Sequence, residues 1–251
     1  MKKLFFCICL VILQSCSNDD NSTDSNMLLV KKAVSIEANG ANGLTFDYSY
    51  IGNKITTIEV SNGQSLKFYY TGNLITKTEK YLYNDTELSN EIIYQYDDNE
   101  RLVSEESKDF LNSVLETREY SYESNGTVSY LFYAGEIGSV TVLAKTGTYF
   151  FNANNEVVKL EDVSVGSNEM ITTNFTYDTN NSIFKNVLGW NKIFSTVYDG
   201  KTNNILTATT INADDIVIYG YTNQYSYNNA GYPVALTTLI DGNAATVNYF
   251  Y

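Results

Sequence analysis

One pattern constrains this chain more than any other. From about residue 43 to residue 251, aromatic residues alternate with polar ones in short runs, and each run ends in a turn of similar spacing. Phe46, Tyr48 and Tyr50 form one run, and Leu66, Phe68 and Tyr70 another. The pairs Tyr94/Tyr96, Tyr120/Tyr122, Phe175/Tyr177 and Tyr225/Tyr227 repeat it. A period of two is a β-strand with one buried face. Five turns open Tyr96-Asp97, Tyr122-Glu123, Phe151-Asn152, Tyr177-Asp178 and Tyr227-Asn228. Four residues after each aromatic stand Glu100, Gly126, Asn155, Asn181 and Gly231; six after it stand Leu102, Val128, Val157, Ile183 and Pro233. An Asx side chain at the turn accepts nearby backbone N–H groups. Gly or Asn suits a left-handed backbone, and the aliphatic residue restarts a strand. Two shorter turns, Tyr50-Ile51-Gly52-Asn53 and Tyr70-Thr71-Gly72-Asn73, precede these, and a looser copy begins at Tyr198-Asp199 and ends near Asn204-Ile205. The eight starts define units of about 25 residues. Each reads as a hairpin and the whole as an antiparallel meander.

The Tyr-Asp-x-x-Gly-x-Leu logic of these units resembles the YD repeat of RHS-type proteins. It also resembles exported bacterial lipoproteins that carry such repeats in a barrel-like domain of unknown function. The resemblance implies an all-β fold of about 16–18 strands, a strongly curved sheet or closed barrel filled with tyrosine and phenylalanine. The 22 tyrosines fit that interior, because a ring fills volume while its hydroxyl finds a partner.

The N-terminus has a different character. Lys2 and Lys3 precede an apolar stretch from Leu4 to Leu13, and Leu13-Gln14-Ser15-Cys16 follows. A basic head, a short apolar segment and small residues before a cysteine make a secretory leader, too short for a permanent membrane helix. The run resembles the lipobox of bacterial lipoproteins, with Gln14 departing from the usual small or β-branched residue. The resemblance implies cleavage before Cys16 and lipidation of that residue. The organisation expected is a signal peptide over 1–15, a disordered polar tether over 16–26 and a single β domain over 27–251. Residues 16–26 have no apolar side chain between Cys16 and Asn26 on which to fold. Asp19 and Asp20 resemble the acidic signal that routes some lipoproteins to the outer face of the outer membrane. A surface-exposed or periplasm-facing anchor is the expected location.

Composition excludes several chemistries. The chain has no histidine, which removes histidine-based triads, general bases and zinc ligands. Cys7 and Cys9 leave with the leader and Cys16 is the lipidation site, so the domain is held together by burial rather than disulfides. The full chain has 16 basic and 29 acidic residues; loss of Lys2 and Lys3 takes the basic count to 14 and the formal charge from −13 to −15. Such a field repels nucleic acid.

No catalytic set, metal site or cofactor is assigned. Asp97-Asp98-Asn99-Glu100 and Asp178-Thr179-Asn180-Asn181-Ser182 have alternating oxygens but lack a full calcium loop, and both fall on the repeat's turn. Glu105-Glu106 and Asp214-Asp215 are sequence neighbours, which a strand points to opposite faces. Trp190, the sole tryptophan, lies in the apolar interruption from Ile183 to Phe194. It reads as part of a plug at one end of the sheet, with a ligand-stacking role as the alternative. The functional reading is a lipid-anchored, non-enzymatic binding or structural module, with a glycan or a surface protein as candidate partner. Two alternatives are a carboxylate-based glycoside hydrolase and a porin-like membrane barrel. The porin-like reading draws on the strand number and on the alternation of Val247, Tyr249 and Tyr251; charges at mid-strand, as in Val158-Lys159-Leu160-Glu161-Asp162, oppose it.

Overall fold

The computed structural model describes residues 27–37, 40–194 and 200–251. Its strands are β1 (Lys32–Ile36), β2 (Asn42–Ile51), β3 (Lys54–Val60), β4 (Ser65–Thr71), β5 (Leu74–Leu82), β6 (Glu87–Tyr96), β7 (Leu102–Asp109) and β8 (Val114–Tyr122). They continue as β9 (Val128–Glu136), β10 (Val142–Phe151), β11 (Val157–Ser164), β12 (Met170–Tyr177), β13 (Ile205–Ile211), β14 (Val217–Tyr227), β15 (Pro233–Ile240) and β16 (Asn243–Phe250). Each strand pairs with its sequence neighbours, and β1 pairs antiparallel with β16 from Lys32↔Phe250 to Ile36↔Thr246. The meander therefore closes into a 16-stranded barrel without a free edge. The all-β class and the hairpin meander expected from the repeat are the fold observed. The signal peptide, Cys16 and the tether lie outside the described residues.

The two faces of the wall differ in chemistry. Many inward positions are aromatic and aliphatic: Phe68, Tyr94, Tyr120, Tyr130, Phe132, Tyr149, Leu160 and Phe175 are buried in one core. Outward positions are mostly polar and charged, with Tyr69, Leu131 and Ile218 among the exceptions. Lys67 pairs across to Glu79, Glu79 to Glu91 and Glu91 to Lys108, all flanking inward residues. Ion pairs join Lys77 to Glu79 (2.6 Å), Lys108 to Glu106 (2.9 Å) and Lys159 to Glu161 (2.7 Å). Glu79 also accepts hydrogen bonds from Tyr69 and Tyr81. Glu105 and Glu106 do point to opposite faces: Glu105 is 2 % exposed inside, whereas Glu106 pairs with Lys108 outside.

The repeat is a device for one rim. The strand register shifts beside Tyr50, Tyr70, Tyr96, Phe151, Tyr177 and Tyr227, where a bulge increases local twist. The turns then use the left-handed backbone expected: Glu100, Gly126, Asn155 and Gly231 have φ of 57°, 85°, 62° and 74°. The aliphatic residue after each turn is buried, giving a ring of Val30, Ile55, Ile75, Leu102, Val128, Val157, Ile205 and Pro233. The repeat tyrosines lace this ring. Tyr96 donates to the Ile75 carbonyl (2.8 Å), Tyr122 to Leu102 (3.1 Å), Tyr177 to Val157 (2.7 Å) and Tyr50 to Val30 (2.8 Å).

Two assignments of the repeat are corrected here. Ile183 does not restart a strand after Tyr177; Ile205 does. The Asp178 N–H donates to Asn204 and the Asn204 N–H to Asp178 Oδ1, each at 3.0 Å, as Asp97 and Arg101 do in an uninterrupted turn. Residues 178–204 are thus an insertion within one turn, and Asn181 lacks the positive φ of its counterparts. The Tyr198-Asp199 copy lies outside the described residues, and its expected end at Ile205 belongs to the Tyr177 unit. The eighth unit comes from the two chain ends: Tyr251 donates to the Pro233 carbonyl (2.9 Å) and Val30 supplies the aliphatic residue.

Candidate functional site

The insertion closes the laced rim. Phe184, Val187, Trp190, Ile193 and Phe194 are buried in the barrel core, and Trp190–Lys192 form a single 3-10 turn. Trp190 therefore packs as the plug reading expected. It stacks on Phe184 (3.9 Å between ring centroids) and leans on Phe68 (6.2 Å). Phe194 stacks on Tyr149 and tilts against Tyr120, both at 5.0 Å. Backbone bonds pin the insertion to neighbouring turns, with the Leu188 N–H donating to Asn53 and the Asn181 N–H to Gly231. Gly189, at φ 76°, sits where a Cβ would lie 2.9 Å from the Asn73 carbonyl and the Ile75 N; only glycine allows that approach. On the returning limb, the buried Glu156 carboxylate accepts the N–H groups of Lys201, Thr202 and Asn203. Lys201 is 4 % exposed and its ammonium lies 4.6 Å from the Phe194 ring centroid. Burial pushes its pKa down to about 8 against the opposing pull of Glu156.

Two recesses among the described residues extend along the inner wall away from the closed rim. One, of about 350 Å³, is lined by Tyr219, Tyr221, Tyr225, Asn223 and Thr238 of β14 and β15. Its polar groups form a network: Thr238 donates to Asn223 Oδ1 (2.7 Å), and Asn223 Nδ2 donates to the Ile205 carbonyl (2.9 Å) and to Tyr225 (3.3 Å). Tyr225 stacks on Tyr227, and burial pushes its hydroxyl pKa far up. The other recess, of about 450 Å³, is lined by Phe46, Tyr48, Ile58, Leu66, Phe184 and Trp190, with Gln64 and Lys80 as its polar side chains besides tyrosine. Ile183 and Tyr249 line both. The sequence singled out Trp190 but not this tyrosine wall, whose members are indistinguishable by type from the packed tyrosines opposite.

The opposite inner wall is polar and engaged. Glu105 meets Arg118 and Tyr120, each at 3.4 Å, and Tyr130 donates to Asp162. Burial and then Asp162 push the Tyr130 hydroxyl pKa far up. The carboxylates of the expected turn clusters have structural duties. Asp97 accepts the N–H groups of Asn99 and Arg101 and the Arg101 guanidinium; Asp178 accepts from Asn180, Asn204 and Tyr227.

Two solved structures similar to this one are from Bacteroides species. A porin-like protein from Bacteroides uniformis ATCC 8492 matches with a TM-score of 0.50 at 11 % identity, covering 88 % of this chain and 96 % of that one. A porin-like protein from Bacteroides vulgatus ATCC 8482 matches at 0.47 and 12 %, covering 90 % and 99 %. The first likeness is one of fold. No protein-family model matches the chain, and no curated protein does. The closed antiparallel barrel that the porin-like alternative required is present.

Proposed function

We propose that this protein is a porin-like barrel of the bacterial outer membrane that stands in water, held by lipidated Cys16, and binds a ligand in its interior. The observation that carries this reading is the outer face, where ion-paired lysines and glutamates line the strands, together with an aromatic core that the insertion shuts at one end. A lysine on a lipid face costs about 2–4 kcal/mol near the bilayer midplane, and Lys67, Lys77, Lys108 and Lys159 all point outward along the strands. A conduit needs an open lumen, whereas the rings of Phe184, Trp190 and Phe194 occupy this one. The YD-repeat kinship belongs to the same reading and is supported by the aromatic–turn–aliphatic unit that recurs around the rim. The tyrosine, asparagine and threonine wall of the smaller recess suits a glycan, since rings stack on sugar faces while hydroxyls and amides meet sugar hydroxyls.

The porin-like reading in its spanning form keeps one supporting observation, the barrel architecture shared with proteins of that description. One pair of measurements separates the two. Thermal shift of the protein against an oligosaccharide panel should reveal a ligand that raises its stability, and planar-bilayer recording should show no channels. Discrete conductance steps would establish the spanning form.

A further inference from the structure

The larger recess differs chemically from the tyrosine wall, and we infer that it binds a single-chain amphiphile with an anionic head, the tail against Trp190 and Phe184 and the head at Lys80. This inference rests on reading the interior as a binding vessel. Sites of about 300–1,000 Å³ with apolar walls and a few placed polar groups are ordinary for small ligands, and this recess is about 450 Å³. It runs from the insertion, at Phe184 and Trp190, to Val60, Gln64 and Lys80 towards the other rim.

Lys80 faces inward, opposite Leu66 on β4 and Asn90 on β6. Among the described residues no carboxylate pairs with its ammonium, whereas the outward Lys67, Lys77, Lys108 and Lys159 each have an ion pair. Asp109, whose carboxyl Lys80 helps hold below the usual range, is engaged mainly by Asn112 and by the Leu111 N–H in its own turn. An inward cation above an apolar slot selects an acid for the head and a hydrocarbon for the rest. The slot is poor in the amides and hydroxyls that a sugar requires, so its ligand is of a different class from that proposed for the tyrosine wall.

Trp190 is the only tryptophan and lines this recess, so its emission in the full chain carrying Cys16→Ala, which has no acyl group of its own, reports occupancy. The probes are dodecanoate, dodecyl phosphate and dodecyltrimethylammonium, each below its micelle-forming concentration. A saturable emission change is expected with an anionic probe, and the stronger of the two identifies carboxylate or phosphate as the head. The cationic probe should bind at least about tenfold more weakly. Lys80→Met should weaken the anionic probe by about tenfold or more, and Lys80→Arg should restore it. Equal response to all three probes, or parental affinity in a folded Lys80→Met, overturns the inference. A stabilising oligosaccharide with no emission response to any amphiphile also overturns it while leaving the vessel intact; channel activity overturns the vessel itself.

Discussion

The two rims of the barrel are built on different principles. At the closed rim every turn belongs to the repeat, a buried aliphatic residue follows each turn, and tyrosine hydroxyls tie one unit to the next. At the other rim some turns use the same backbone bonds, Val60 N–H to Gln64 and Asn212 N–H to Ile216, but large apolar side chains stand in water there: Tyr83, Phe110, Leu111, Val140, Val165 and Ile216, with Val140 reaching 89 % exposure. The turns of the closed rim expose fewer such side chains; among their described residues Ile51 stands out at 74 % exposure. The aliphatic ring and the tyrosine bonds thus lie at the closed rim, and the two recesses extend towards the other.

The widest contrast between the rims is expected in alkali. Burial holds the hydroxyls of Tyr50, Tyr96 and Tyr177 well above the usual tyrosine range, and those of Tyr70 and Tyr122 at about 12. With folded values above the unfolded 10, the folded state keeps protons that the unfolded chain releases. The stabilisation is complete below pH 10 and falls as pH rises beyond it, by up to about 1.4 kcal/mol per pH unit for each deeply buried tyrosine. Lys201 acts in the opposite sense. Its folded value of about 8 lies below the ordinary 10.5, so it adds stability as pH rises between those values. Urea midpoints measured across pH 7–12 should rise slightly and then collapse above 10; a flat profile through 11 would remove the lacing from the account.

Trp190→Ala and Phe194→Ala remove rings from the insertion and should each lower unfolding free energy by about 3–5 kcal/mol in urea titrations. A loss under 1 kcal/mol would mean that the insertion rests on the rim without contributing to the core. Tyr96→Phe should lower stability by about 1 kcal/mol, the worth of one hydrogen bond. Phe151 holds the repeat position that lacks a hydroxyl, so Phe151→Tyr sharpens the point: a gain of up to about 1 kcal/mol is expected if the lacing extends around the whole rim. Smallest of all, Val140→Ser at the open rim should shift the midpoint by no more than about 0.5 kcal/mol.

The sequence was legible where local chemistry repeats. Alternating aromatics, an Asx at the turn and a residue of positive φ are local requirements, so the hairpins and their order followed from them. Closure was not legible, because Tyr251 and Val30 complete an eighth unit that neither chain end shows alone. What misled was continuity: lengthening the turn between Asp178 and Asn204 by 22 residues kept its hydrogen bonds intact while moving its aliphatic partner from Ile183 to Ile205. The plug was legible from its apolar run around Trp190. The recesses were not, since which tyrosines pack and which line a cavity depends on where the insertion ends, a long-range property. Lys80 reads in sequence as one more strand lysine beside Lys77; only the register turns it inward.

The most direct test of the account is small-angle scattering of residues 27–251, which hold all 16 strands, in detergent-free buffer. A barrel that faces water through its charged outer wall should scatter as a compact monomer at every protein concentration. A particle that aggregates in buffer and becomes monodisperse only inside a detergent belt would contradict it and assign the outer wall to lipid.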